Sequence, residues 1–240
     1  MLFIRSLIFF LGQVVITVMY FPLTLLAYFF PVKKKISLIS GWGWLMIKWL
    51  KLCCRLDYKI TGLENLPNQP FIAMVKHQSA WETMSLLFLL PPHSWVLKKE
   101  LLRIPIFGWG LALSKPIAID RSQSKAALKQ LLQQGKDRLK DGLNIVICPE
   151  GTRMAPGVTG KFNAGGSMLA SQAQVPVVPI AHNSGSFWQR NSFIKRPGTI
   201  QLVIGKPIDP QLNTASEINA QCKQWIEQTV SRLEADRLTR

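Results

Sequence analysis

The run Ile72-Ala-Met-Val-Lys-His-Gln-Ser-Ala-Trp-Glu82 changes character along its length. Ile72–Val75 is short, apolar and β-prone, and Thr83–Leu90 reads as a helix stopped by Pro91-Pro92. A polar connection carrying His77 and Glu82 lies between them. The same plan recurs where Leu143-Asn-Ile-Val-Ile-Cys148 runs into Pro149-Glu-Gly-Thr-Arg153. Working outward, β-rich apolar runs fall at 70–75, 94–98, 116–120, 143–148, 176–181 and 199–204. Helical stretches near 81–90, 101–113, 122–140 and 163–173 separate many of them. This alternation predicts an α/β fold, a mixed and largely parallel sheet covered by helices.

Within 122–140, Ala127, Leu128, Leu131, Leu132 and Leu139 form one apolar stripe, and Asp141-Gly142 stops the helix. A capping box at Thr214-Ala-Ser-Glu217 opens a last helix, with Ile218, Cys222, Trp225, Ile226 and Leu233 at helical spacing. No internal repeat or long linker appears. The expected organisation is an N-terminal membrane-associated helical segment over 1–55 and one α/β domain over 56–240.

Residues 6–32 carry no charged side chain. As a helix that run reaches roughly 40 Å, more than a bilayer's hydrocarbon core, and no small-x-small cleavage site follows it. Pro22 leaves open whether the segment spans or bends back. Arg5, Lys33, Lys34, Lys35, Lys48, Lys51 and Arg55 all precede Asp57, the first acid. Lys33–Lys35 outweigh Arg5 and the amino terminus, so the following domain is expected in the cytoplasm. Residues 36–52 combine Trp42, Trp44, Trp49, Lys48 and Lys51 with apolar side chains, which suits a headgroup interface or a buried core helix. The net charge of +16 alone suits a nucleic-acid binder, but 48% hydrophobic residues and this N-terminal block do not. Cys53, Cys54, Cys148 and Cys222 have no metal-ligand spacing with His77, His93 or His182, so no metal is expected.

His77 and Glu82 sit about 140° apart on an ideal helix, so they meet only if His77 ends a strand and Glu82 opens the next helix. Glu82 then accepts one imidazole N–H and fixes the tautomer, leaving the other nitrogen to take a proton from a hydroxyl. Ser79-Ala-Trp-Glu82 is also a capping box, which offers a purely structural role for Glu82. Arg121 after strand 116–120 and Arg153 after strand 143–148 emerge at strand C-terminal ends, where open α/β sheets bind ligands. Their guanidinium groups suit phosphate. Gly151 permits close backbone approach, and Thr152 adds a hydroxyl.

In order, His77-x4-Glu82, Ile119-Asp-Arg121, Pro149–Arg153 and Val175-Pro-Val-Val-Pro179 resemble the motifs of the glycerophospholipid acyltransferase family, nearest to its bacterial 1-acylglycerol-3-phosphate acyltransferases. The resemblance covers roughly residues 70–182. It implies direct attack of a glycerol 2-hydroxyl on an acyl thioester, with His77 as base and Glu82 as its partner. The family more commonly has aspartate where Glu82 stands, and some lipid A acyltransferases share the pair. The resemblance assigns Arg121 and Glu150, Gly151, Thr152 and Arg153 to the acceptor's phosphate, with Lys98 as a further contact. It also implies two N-terminal helices.

Other readings stand beside these assignments. Lys98 is otherwise a solvated lysine beside Lys99 and Glu100. Arg121 is otherwise paired with Asp120 or Asp137, and Glu150 with Arg153. Val175–Pro179 is a wall of an acyl pocket or an edge strand. Lys161 is a further candidate for phosphate, and His93 and His182, without a carboxylate nearby in sequence, are structural or solvent-facing. No G-x-S-x-G elbow, Rossmann or P-loop pattern is present. The expected reaction needs no cofactor beyond an acyl-CoA or acyl carrier protein donor. The expected partners are that donor, lysophosphatidic acid and membrane lipids, at the cytoplasmic side of a bacterial inner membrane, with no nucleic acid. Another lysolipid or a lipid A-type acceptor is the neighbouring alternative. A membrane-tethered nucleic-acid binder or scaffold is the alternative of a different class.

Overall fold

The computed structural model describes residues 1–120 and 122–238. Two long helices, α1 (Leu2–Leu26) and α2 (Val32–Cys54), precede the sheet. Strands β1 (Leu56–Thr61), β2 (Ile72–Val75), β3 (His93–Lys98), β4 (Ile117–Ile119), β5 (Asn144–Ile147), β6 (Val177–His182) and β7 (Gly198–Ile204) form one sheet in the order β1-β7-β6-β2-β5-β3-β4. Every neighbouring pair is parallel except β6–β7. Helices α3 (Trp81–Leu89), α4 (Phe107–Leu113), α5 (Ser124–Lys140), α6 (Gly165–Ala173) and α7 (Ala215–Leu238) complete the chain.

Strands β2, β5 and β6 are apolar at nearly every position because both faces are covered. Alternate side chains separate two cores. Ile72, Met74, Ile145 and Ile147 pack with Leu131, Leu169, Ile218 and Cys222 of α5, α6 and α7. Ala73, Val75 and Val146 pack with Met46, Leu50, Trp81 and Leu86 of α2 and α3. Phe9 of α1 and Cys54 of α2 belong to this second core, so the N-terminal helices are built into it. α2 therefore buries one face, with Ser40 donating to the Leu87 carbonyl, and leaves Trp44 and Leu52 exposed on the other. The capping box that opens α7 is formed, with Thr214 N–H donating to Glu217 at 2.7 Å.

Three local expectations need correction. The helix expected over 101–113 is a 3-10 turn at Lys99–Arg103 followed by α4, because Pro105 has no amide to continue the first turn. β1 was not anticipated, since Asp57 and Lys59 interrupt its short apolar alternation at the sheet edge. Val175–Pro179 is neither an edge strand nor a cavity wall, because β6 runs fully buried between β2 and β7. Pro179 is tolerated because the regular β7 ladder stops at Ile180↔Ile204; beyond it Pro179 still accepts from Gly205 N–H, and only its own missing amide is lost.

α1 is amphipathic in the reverse sense of a soluble helix. Between Leu7 and Leu26 every exposed residue is apolar, while Ser6, Gln13, Thr17, Tyr20 and Thr24 all fall on its inner face. Tyr20 donates to the Leu38 carbonyl, Thr17 accepts from Trp42 Nε1, and Ser6 accepts from Lys195 N–H. Gly12 lies so close under Trp49 that an added Cβ would sit 2.1 Å from the indole nitrogen.

Candidate active site

The polar connection after β2 and the loop after β5 are neighbours because these strands pair in parallel, Met74 opposite Ile147. Their backbones are tied together. His77 N–H donates to Glu150 Oε2 at 3.0 Å, and Met154 N–H donates to the His77 carbonyl at 2.8 Å. Glu150 also forms a buried ion pair with Lys76, whose ammonium further donates to the Val158 carbonyl. Glu150 thus faces Lys76 and the His77 backbone and not Arg153, and its carboxylate holds the two motifs in register.

Glu82, at the start of α3, is fully buried and stands 2.9 Å from His77 Nδ1 through Oε1. The same oxygen accepts from the N–H groups of Gln78 (2.9 Å) and Ser79 (2.8 Å), and Oε2 accepts from Ser184 Oγ (3.1 Å). The carboxylate therefore fixes the Gln78–Ser79 loop that leads into α3 and orients the imidazole at once; the extra methylene relative to aspartate gives it reach for both. Burial alone would raise the Glu82 pKa. His182, the bond to His77 and the Ser79 amide outweigh it and hold the group at about 2.

His182, with no carboxylate nearby in sequence, is buried and meets one in the fold. Its Nε2 is 4.0 Å from Glu82 Oε2 and 2.8 Å from the Lys76 carbonyl, and its Nδ1 is 3.0 Å from Ser184 Oγ. Burial lowers its pKa. Neither His182 nor Ser184 was identifiable from sequence, since 100 or more residues separate them from Glu82; the only signal was a polar pair ending the apolar strand β6. His93 is buried and structural, with Nδ1 donating to the Pro91 carbonyl at 3.0 Å.

Beside His77 opens a cavity of about 340 Å³. Its walls come from α1 (Gln13, Thr17, Phe21, Thr24), from α2 and α3 (Ile39, Thr83, Met84, Leu87), and from the α4 region (Ile106, Phe107, Leu111). Cys148, Lys98 and Arg153 line it as well. Arg153 Nε is buried with no hydrogen-bond partner among the described residues. Lys98 stays half exposed, 3.8 Å from Glu100. Gly151 adopts φ +69°, which favours glycine, and Thr152 is exposed. Arg121 lies outside the described residues; the carboxylate of Asp120, one of its two alternative partners, binds Lys99 and Ser122. Lys161 is exposed and apart from the cavity wall. Among the described residues no group of three or more His, Cys, Asp or Glu is placed to hold a metal ion.

Burial pulls the His77 pKa down, but the adjacent Cys148 sulfur and the Glu82 carboxylate outweigh it and raise the group to about 10. The base form is the neutral ring, so kcat/KM is expected to rise with pH toward that value. Cys148→Ala removes the larger of the raising influences. The ascending limb of the pH–rate profile then moves to lower pH, and an unmoved limb would remove Cys148 from the tuning of His77.

The acyltransferase family model matches residues 57–183. The chain is 45% identical over 198 residues to the 1-acyl-sn-glycerol-3-phosphate acyltransferase of Pseudomonas aeruginosa, covering 81% of this chain and 77% of that one. It is 31% identical to the Saccharomyces cerevisiae enzyme of the same name, over 77% of this chain and 62% of that one. The fold matches the crystal structure of the 1-acyl-sn-glycerophosphate acyltransferase from Thermotoga maritima with a TM-score of 0.81 at 23% identity, covering 97% and 95% of the two chains. A buried carboxylate steadying an imidazole at the mouth of an apolar cavity and these similarities agree: the chain belongs to the acyltransferase family, among the 1-acyl-sn-glycerol-3-phosphate acyltransferases.

Proposed function

We propose that the protein transfers a fatty acyl group from an acyl thioester to the 2-hydroxyl of 1-acyl-sn-glycerol 3-phosphate, giving phosphatidic acid. The observation that carries this reading is the His77–Glu82 pair at the end of a cavity also lined by Arg153 and Lys98. Glu82 holds the Nδ1 proton, which leaves Nε2 to remove the hydroxyl proton as the oxygen attacks the thioester carbon. The tetrahedral intermediate collapses with cleavage of the C–S bond. The leaving thiolate takes the proton back from the imidazolium, which restores the neutral ring. Arg153, a half-buried side chain with an unused, buried Nε donor, reads the phosphate, with Lys98 as a second cation and Arg121 in the same role after β4.

The chain acts at a membrane. Among the described residues one helical stretch, Leu2–Phe29, is long and apolar enough to cross one. Its contacts favour lying in one leaflet instead. Phe3 and Phe10 pack tilted against Phe193, and Phe9 meets Trp188 edge-on, at one end, and Phe21 packs near Trp109 at the other. A helix held to the α/β unit at both ends, with a wholly apolar outer face, embeds sideways and delivers the cavity to lipid. Lys33–Lys35 and the net charge fit the anionic inner face of a bacterial cytoplasmic membrane, and an acidic acyl carrier protein as readily as acyl-CoA.

Purified protein assayed with lysophosphatidate against other lysolipids, using both thioester donors, tests the reading. Arg153→Met is expected to raise KM for lysophosphatidate by about 10–100-fold, the worth of one hydrogen bond to a charged group. Acceptors without a phosphate monoester should be insensitive to it. Equal loss on all acceptors would remove Arg153 from phosphate recognition, and no transfer to any lysolipid would remove the reading itself.

A further inference from the structure

The polar stripe on the inner face of α1 is accounted for by protein partners at every position but one. Ser6 meets the Lys195 amide, Thr17 the Trp42 indole, Tyr20 the Leu38 carbonyl, and Thr24 the Tyr20 carbonyl. The Gln13 side-chain amide has no hydrogen-bond partner among the described residues, and Gln13 lines the cavity.

Helix contacts fix its height along that cavity. Trp42 Nε1 bonds Thr17, so Thr17 and Trp42 are level. Gly43 abuts the Met84 carbonyl, and Ser40 bonds the Leu87 carbonyl, so α2 and α3 run antiparallel in register. Gln13 stands one turn above Thr17, which brings it level with the first turn of α3, where Glu82 holds His77. From Gln13 down to Thr24 is roughly 16 Å of helix, the length of wall an acyl chain would follow. Any carbonyl attacked by a hydroxyl that His77 deprotonates must lie at the Gln13 end.

We infer that the Gln13 side-chain amide donates a hydrogen bond to the oxygen of the thioester carbonyl under attack, so that the membrane helix completes the catalytic site. The inference rests on the acyl-transfer reading above. As the hydroxyl oxygen adds to the carbonyl carbon, the C=O π pair moves onto this oxygen. An amide N–H in a water-poor cavity stabilises that charge more than the ground-state carbonyl. When the C–S bond breaks, the pair returns and the thiolate departs. α1 thereby couples membrane insertion to a competent site, since its outer apolar face and its inner donor belong to one rigid element.

Gln13→Met keeps the side-chain size and removes the donor. With lysophosphatidate and the thioester that the wild type accepts, kcat is expected to fall about 10²–10³-fold, with the acceptor KM nearly unchanged and the thioester KM raised at most about tenfold. A second readout uses two unreactive pantetheine thioethers of equal chain length, one carrying a ketone one carbon beyond the sulfur, as S–CH2–C(=O), and one without it. The wild type should bind the ketone about three- to tenfold more tightly, and Gln13→Met should lose that preference while binding the plain thioether as before. Unchanged kcat overturns the inference, as does equal loss of both ligands, which marks a packing role only. A wild type that binds the ketone preferentially but acylates no lysolipid removes the acyl-transfer reading instead.

Discussion

His77→Ala is expected to lower kcat by roughly 10²–10⁴, the worth of a positioned general base, while fold and membrane attachment persist. The ring lies at a loop where its removal opens no core: its side chain keeps 20% exposure, and its backbone bonds to Glu150 and Met154 do not depend on it. Glu82→Gln should approach the same loss by a different route. The carboxylate accepts from His77, Gln78, Ser79 and Ser184, all of them donors. An amide leaves one oxygen to serve them and turns an NH₂ toward a buried donor, which costs about 1–3 kcal/mol and loosens the imidazole. Rate measurements on the two variants, with thermal melting alongside, check both. Full activity in Glu82→Gln would reduce that residue to a support of the loop before α3.

Glu150→Gln is expected to cost about 3–5 kcal/mol of stability, because it strands the Lys76 ammonium in the interior. Lys76 is only 3% exposed, and its partners are Glu150 and the Val158 carbonyl. The expected signature is a lower melting temperature and lower activity together, since Glu150 also fixes the His77 amide. Glu150→Leu combined with Lys76→Met should recover most of the stability while leaving His77 poorly placed. A melting temperature unchanged in the single variant would contradict the buried pair.

The strands and most helices were legible because both periods are well expressed. β2, β5 and β6 are buried apolar runs, and the α5 stripe and the α7 capping box mark their helices plainly. β1 was not, because an edge strand with one covered face needs few apolar residues. At the site, His77 and Glu82 were legible from a five-residue spacing that only a strand-to-helix turn lets them use. The proper partner of Glu150 was not, because Lys76 adjoins His77 but lies 74 positions away in the chain. Ser184 and His182 were hidden for the same reason: parallel strand order, not sequence proximity, brings the end of β6 beside β2. The role of α1 was legible only in part. Its lack of charge announced the membrane, but the inward polar stripe acquires meaning only once α2 and the cavity define which face is inside.

The most direct test is a crystal structure with an unreactive acceptor, a 1-acylglycerol 3-phosphate analogue bearing a 2-deoxy-2-fluoro or 2-methoxy group. The position of the 2-oxygen or its substitute should fall within about 3.5 Å of His77 Nε2, at hydrogen-bond reach once the native hydroxyl is restored, with the phosphate on Arg153. A phosphate seated away from Arg153, with the glycerol 2-position facing a group other than His77, would contradict the mechanism.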